Sequence, residues 1–243
     1  MADQSAKPAA RPVSITDERS VHVSGLLQAP PGSRARACFV LAHGAGAGMT
    51  HPFMAAIAEG LAARGIATLR YQFPYMERGS KRPDPPQLAH AAVRAAVAAA
   101  GRALPDLPLI AGGKSFGGRM TSQAQAIAPL PGVRGLAFLG FPLHPAGKPS
   151  SERADHLFAV HIPMLFLQGS RDQLAARELI EPLSRSLGER ATLQIFAGAD
   201  HSFHIARNLP ARSGRSDADM RNALLDALAA WIAAVITAPL PAQ

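Results

Sequence analysis

Three residues in this 243-residue sequence have the types and placement for nucleophilic chemistry, each just past a short apolar run. Ser115 lies in Gly113-Lys114-Ser115-Phe116-Gly117, between the apolar run 107–112 and a helical pattern that opens at Phe116. Asp172 lies in Gly169-Ser170-Arg171-Asp172-Gln173, directly after the run 164–168. His201 lies in Gly198-Ala199-Asp200-His201-Ser202-Phe203, directly after the run 192–196. A serine hydroxyl is a poor nucleophile at neutral pH until an imidazole takes its proton and a carboxylate orients the imidazole. A serine on a sharp strand-to-helix turn also needs small flanking residues, and Gly113 and Gly117 supply them. A second glycine cluster, His43-Gly44-Ala45-Gly46-Ala47-Gly48, follows the apolar run 37–42. Its Ala45 N–H, with the Phe116 N–H at the start of a helix, is expected to form a two-donor oxyanion hole.

Other chemistries fit the same residues less well. Gly113-Lys114-Ser115 resembles the end of a phosphate-binding loop, but the glycine required five positions earlier is Pro108. The cluster at 44–48 fails as a dinucleotide fingerprint because Met49 replaces the third glycine, and Arg70-Tyr71-Gln72 stands where an acidic residue would close the next strand. His201 and His204 are three apart but have no third ligand nearby, so neither a metal site nor a cofactor is expected. Asp200 and His204 are the alternatives for the acid and the base, with loop hydrogen bonding the plainer role for Asp200. His43 reads as a strap within its own loop, while His144 and Gly46 are candidates for substrate contact. Arg119 reads first as half of an ion pair and second as an anion contact.

These loops need a scaffold that brings them to one edge. Apolar runs at 37–42, 66–73, 107–112, 133–143, 164–168 and 192–196 alternate with helical patterns at 51–64, 87–103, 116–128 and 175–187. A last helix opens with Ser216 as N-cap and turns Met220, Leu224, Leu228, Trp231 and Val235 to one side, and residues 21–27 read as an edge strand. Strands alternating with helices predict an α/β fold, a doubly wound, mostly parallel sheet with helices on both faces. Its ligand site lies outside the carboxyl ends of the strands. No composition break divides the chain, so residues 16–238 are expected to form a single domain behind a flexible tail at 1–15.

Composition narrows the function classes. Hydrophobic residues at 48% against 17% charged exclude a disordered chain. The net charge of +8 is scattered as singles and pairs, and aromatics at 5% offer few stacking platforms, so nucleic acid is not the expected partner. A small-molecule acyl substrate is, and the surplus charge implies faster association of esters that carry a carboxylate. The single cysteine, Cys38, cannot form an internal disulfide; residues 1–12 lack an apolar leader core, and Arg94 and Asp226 interrupt the longest apolar runs. A cytoplasmic protein with no membrane span is the expectation.

The segments LAHGAGAGM, GGKSFGGRM, FPLHPAGKP, LQGSRD and GADHSF, taken together, resemble the α/β-hydrolase superfamily from residue 21 onward. They are most similar to the dienelactone-hydrolase-like branch, and within it to bacterial hydrolases akin to the KANSL3/Tex30 proteins. The resemblance implies Ser115 as nucleophile, His201 as base, Asp172 as acid, and Ala45 and Phe116 as oxyanion donors. Dienelactone hydrolases themselves use a cysteine where Ser115 stands, which points from lactone opening toward ester or thioester hydrolysis. Only about twenty residues separate the runs 133–143 and 164–168, too few for a cap domain, so a loop-lined, shallow pocket is expected. The competing reading is a non-catalytic scaffold of the same fold that binds a protein partner.

Overall fold

The computed structural model describes residues 9–16, 22–32, 35–209, 214 and 216–238. The strands are β1 (Arg11–Thr16), β2 (His22–Gln28), β3 (Ala37–Ala42), β4 (Ile66–Tyr71), β5 (Leu109–Lys114), β6 (Val133–Leu139), β7 (Met164–Gly169) and β8 (Ala191–Phe196). The helices are α1 (Pro52–Ala62), α2 (Pro74–Glu77), α3 (Pro86–Ala103), α4 (Phe116–Ile127), α5 (Arg177–Ser186) and α6 (Asp217–Thr237), with a 3-10 segment at Glu152–Ala159. The strands form one sheet in the order β1-β2-β4-β3-β5-β6-β7-β8. Pairing is antiparallel for β1 with β2 and β2 with β4, and parallel throughout the remainder.

The central strands are apolar without alternation because both faces of the sheet are covered. Every residue of β3, β4 and β7 is buried. One face packs under α1 and α6 through Phe39, Leu41, Ile57, Leu167, Leu224 and Leu228. The opposite face packs under α3, α4 and the 3-10 segment through Val40, Leu69, Val93, Met120, Phe138 and Leu157. The chain leaves β3 to one side for β4 and returns to the other side for β5. The carboxyl ends of β3 and β5 therefore flank the switch point at which such sheets bind ligands.

Three expectations need correction. Residues 11–15, read as flexible tail, belong to β1, which pairs with β2 from Arg11↔Leu27 to Thr16↔His22. That pairing makes β1 the edge and moves β2 one place inward; residues 1–8 of the expected tail lie outside the described residues. The buried stripe of α6 is Met220, Leu224, Leu228, Ile232 and Val235, with Trp231 on its half-buried shoulder. By length and composition α6, at 21 residues, could cross a membrane despite Asp226. Here its apolar stripe is spent on the sheet face it shares with α1. Its start matches expectation: the Ser216 hydroxyl accepts from the Asp219 N–H while the Asp219 carboxylate accepts from the Ser216 N–H. Among the described residues no separate cap domain sits over the sheet; the 3-10 segment occupies the β6–β7 connection.

Candidate active site

Ser115 follows β5 directly and caps α4 with φ +50° and ψ −117°. That region costs a non-glycine residue about 1–3 kcal/mol, and the surroundings must impose it. They do so by close backbone approach. A Cβ on Gly113 would lie 2.1 Å from the Ala42 carbonyl oxygen, and one on Gly117 would lie 2.5 Å from the His43 carbonyl oxygen. The glycines let β5 and the start of α4 close onto the end of β3, which lifts the Ser115 side chain above the sheet. Phe73, Tyr75 and Phe116 pack behind this turn, with Phe73 and Phe116 edge to face at 5.3 Å.

The loops after β7 and β8 bring the other two groups to Ser115. His201 Nε2 is 2.8 Å from Ser115 Oγ, and His201 Nδ1 is 2.7 Å from Asp172 Oδ2. Asp172 is buried and well partnered: Oδ1 accepts from the Leu174 N–H and Oδ2 also accepts from the Gln168 amide. With its Nδ1–H donated to Asp172, the His201 ring presents Nε2 as acceptor for the serine hydroxyl. The structure thus joins Ser115, His201 and Asp172 in one hydrogen-bonded line. Asp200 and His204 stand apart from it. Asp200 Oδ1 accepts from the N–H groups of Ser202 and His204, and the His204 ring is exposed near Asp217.

Ala45 lines both cavities that meet at Ser115, and Phe116 is the first residue of α4. Neither backbone N–H has a partner among the described residues, as expected for a helix start and a free loop. The first cavity, 530 Å³, is lined by His51, Phe53, Met54, Lys114, His201 and Ser202 among others. The second, 400 Å³, is lined on the far side of Ser115 by Phe116, Arg119, Met120, Pro142 and Arg153 among others. Both volumes suit small-molecule ligands.

Two candidates for substrate contact do not reach these cavities. His144 is buried: its Nδ1 donates to the Pro145 carbonyl and its Nε2 accepts from the Ala176 N–H, so it straps two loops together. Gly46 instead supplies the left-handed residue, φ +73°, that turns the loop after β3. His43 straps its own loop as expected by donating to the Gly44 carbonyl, and beyond expectation it ties that loop to the end of β4 by accepting from the Phe73 N–H; burial pushes it down to about 4. Arg119 has no carboxylate partner among the described residues, so its reading as half of an ion pair is withdrawn.

Sequence reasoning missed Lys114 and Gln168. Lys114 Nζ donates to the His201 carbonyl at 2.6 Å and lies 5.6 Å from the Phe203 ring centre. It thereby ties the end of β5 to the histidine loop. Burial pushes this ammonium down to about 8, against the pull of Asp172 and Asp200. The available signal was a lysine at the carboxyl end of an inner strand, where a charge needs a partner. Among the described residues no group of three or more His, Cys, Asp or Glu side chains could hold a metal ion.

Residues 35–233 match the family described as alpha/beta hydrolase domain. Similar solved structures include a dienelactone hydrolase from Anabaena variabilis, 22% identical, covering 95% of this chain and 99% of that one with a TM-score of 0.73. An alpha-beta serine hydrolase homologue from Coxiella burnetii is 17% identical over 90% and 97% of the two chains, with a TM-score of 0.71. A lidless a/b serine hydrolase from Xanthomonas campestris is 19% identical over 96% of each, with a TM-score of 0.69. At these identities the likeness is one of fold.

Proposed function

The chain belongs to the alpha/beta hydrolase domain family, and from that premise we propose that it is a serine hydrolase cleaving a small acyl ester or thioester. The observation that carries the reading is the continuous line Ser115 Oγ, His201 Nε2, His201 Nδ1, Asp172 Oδ2 at 2.8 and 2.7 Å, beside two unpaired N–H groups. A scaffold that only binds a partner has no use for a strained serine aligned on an oriented imidazole.

In the proposed reaction Ser115 Oγ attacks the acyl carbon while its proton passes to His201 Nε2. The carbonyl π pair moves onto oxygen, and the Ala45 and Phe116 N–H groups stabilise that charge. Collapse of the adduct expels the alcohol or thiol, which takes the proton from His201 and leaves an acyl-Ser115. Water then gives its proton to His201 and its oxygen to the acyl carbon; the departing serine recovers the proton, and a carboxylic acid is released. Because His201 protonates the leaving group, that group occupies the first cavity, and the acyl chain extends from Ser115 into the second. A short chain, roughly C2 to C6, suits this arrangement, since methylenes left in water forgo about 0.8 kcal/mol each. The loop at 141–149 and the paired glycines further support kinship with the bacterial KANSL3/Tex30-like hydrolases.

A fluorophosphonate probe tests the reading. Covalent labelling of the folded protein at Ser115, abolished in Ser115→Ala, is expected. Folded protein that takes up no label would overturn it. A series of 4-nitrophenyl esters should show kcat/KM levelling or falling beyond short acyl chains, whereas a steady climb to long chains would contradict the short-chain reading.

A further inference from the structure

Resting on the hydrolase reading, we propose that Arg119 and Arg153 form an anion-binding subsite for the acyl half of the substrate. The ester or thioester turned over then carries a carboxylate at the far end of its short acyl chain. The two guanidinium groups line the same 400 Å³ cavity as Ser115 and Phe116, on the side away from His201. Arg119 lies one turn along α4 from Ser115, and its N–H donates to the Ser115 carbonyl. Four residues advance about 6 Å along a helix, and helical side chains lean toward the N-terminus, which carries the guanidinium back toward the nucleophile. Arg153 approaches from the 3-10 segment between β6 and β7.

Neither arginine is neutralised by a carboxylate among the described residues. The Arg119 Nε is buried without a hydrogen-bond partner. Burial first, and the like charge of Arg153 second, hold this guanidinium below its ordinary value. Other charges near the wall have partners or lie elsewhere. Asp84 pairs with Arg78 and accepts from the Tyr75 N–H. Asp155 is exposed and acts on His156, not on Arg119. His156 is pushed down to about 4, mainly by burial and then by Arg119 and His90, so it adds no charge at pH 7. Two cations facing one cavity gain a partner when a carboxylate enters, and the guanidinium fork matches a carboxylate in two hydrogen bonds. A chain of six carbons, both carboxyl carbons included, matches the step of about 6 Å from Ser115 to Arg119 along the helix.

The test compares mono-4-nitrophenyl adipate with the same ester capped as its methyl ester, both followed by nitrophenol release at low salt. The wild-type kcat/KM should favour the free acid by about tenfold or more, the scale of a charged hydrogen bond in a partly buried site. That ratio should fall to about one in Arg119→Gln and in Arg153→Gln; the latter change lies in a surface segment and guards against a folding defect in the former. Adipate titrated calorimetrically into the wild-type protein should bind, and should not bind Arg153→Gln. A wild-type ratio near one, or a ratio unchanged in both variants, overturns the subsite while leaving hydrolysis standing. No turnover of either ester, together with no fluorophosphonate labelling, overturns the hydrolase reading, and the subsite is then decided by adipate binding alone.

Discussion

Replacing Lys114 with methionine should make the protein more stable and less active, and the size of the first effect follows from where the ammonium sits. Its Nζ lies beside the His201 carbonyl, and burial lowers it from 10.5 to about 8. At about 1.4 kcal/mol per pH unit, the charged form costs the fold roughly 3 kcal/mol at neutral pH. Methionine keeps the length and removes the charge, but it leaves the His201 carbonyl unpaired at a cost of about 1 kcal/mol. The net gain is about 2 kcal/mol, or roughly 4–8 °C in Tm for a chain of this size. The pH dependence tests the cause. Between pH 8 and 10.5 the unfolded chain holds this proton and the native protein does not, so wild-type stability gains from this group as pH rises through that window. The gap between variant and wild type should be widest below pH 8 and should shrink by roughly 3 kcal/mol by about pH 10.5. Cys38, pushed up to about 12 by burial, titrates alike in both proteins and drops out of the difference. Urea unfolding at several pH values measures the gap, and kcat/KM at pH 7 should fall as the histidine loop loses its tether. A variant less stable than wild type at pH 7, or a gap that ignores pH between 8 and 10.5, would refute the argument.

Ser115→Ala and His201→Ala should each lower kcat by about 10³ or more, with the double variant little worse, because groups that act as one unit are not additive. A double variant showing the product of both losses would separate the two residues mechanistically. Acid should destabilise the fold between pH 6.5 and 4: His43 and His156 are lowered to about 4 by burial, so the unfolded chain takes up protons first as pH falls. A Tm flat across that range, or unaltered there by His156→Gln, would contradict this assignment. Gly113→Ala should cost about 3 kcal/mol or more, since its Cβ would meet the Ala42 carbonyl at 2.1 Å in a backbone at φ +153°. Circular dichroism melting near the wild-type Tm would show that the elbow relaxes freely.

The inner strands were legible because burial on both faces leaves a continuous apolar run, as in Ala37–Ala42, where all six residues are buried. β1 was not, because only Ile15 among its residues is buried and its pairing comes from β2, not from its own apolar content. Trp231 misled for a related reason. Ile232 is buried beside it in the α6 stripe, while Trp231 reaches β6 from the stripe's edge, where its ring lies against Gly135, and stays half-buried. Ser115, Asp172 and His201 could be read because each follows a strand, and parallel strands deliver their following loops to one edge. Lys114 was legible only in part: its place at the end of an inner strand calls for a partner, but no residue type marks a backbone carbonyl 87 residues away as that partner. His144 shows the converse limit: closeness to the site in sequence does not say which way a ring turns.

The contacts that bend the chain at Ser115 are made mostly by backbone, with Gly113 against Ala42 and Gly117 against the His43 carbonyl and the Ala42 methyl. Side chains can therefore be exchanged around both cavities without shifting the frame that holds the reacting oxygen. Such an architecture separates what must stay constant in a lineage from what can drift. A handful of residues without side chains keep the geometry, while the side chains of the walls are free to differ. The solved structures that share this fold over nine-tenths of its length do so at 17–22% identity.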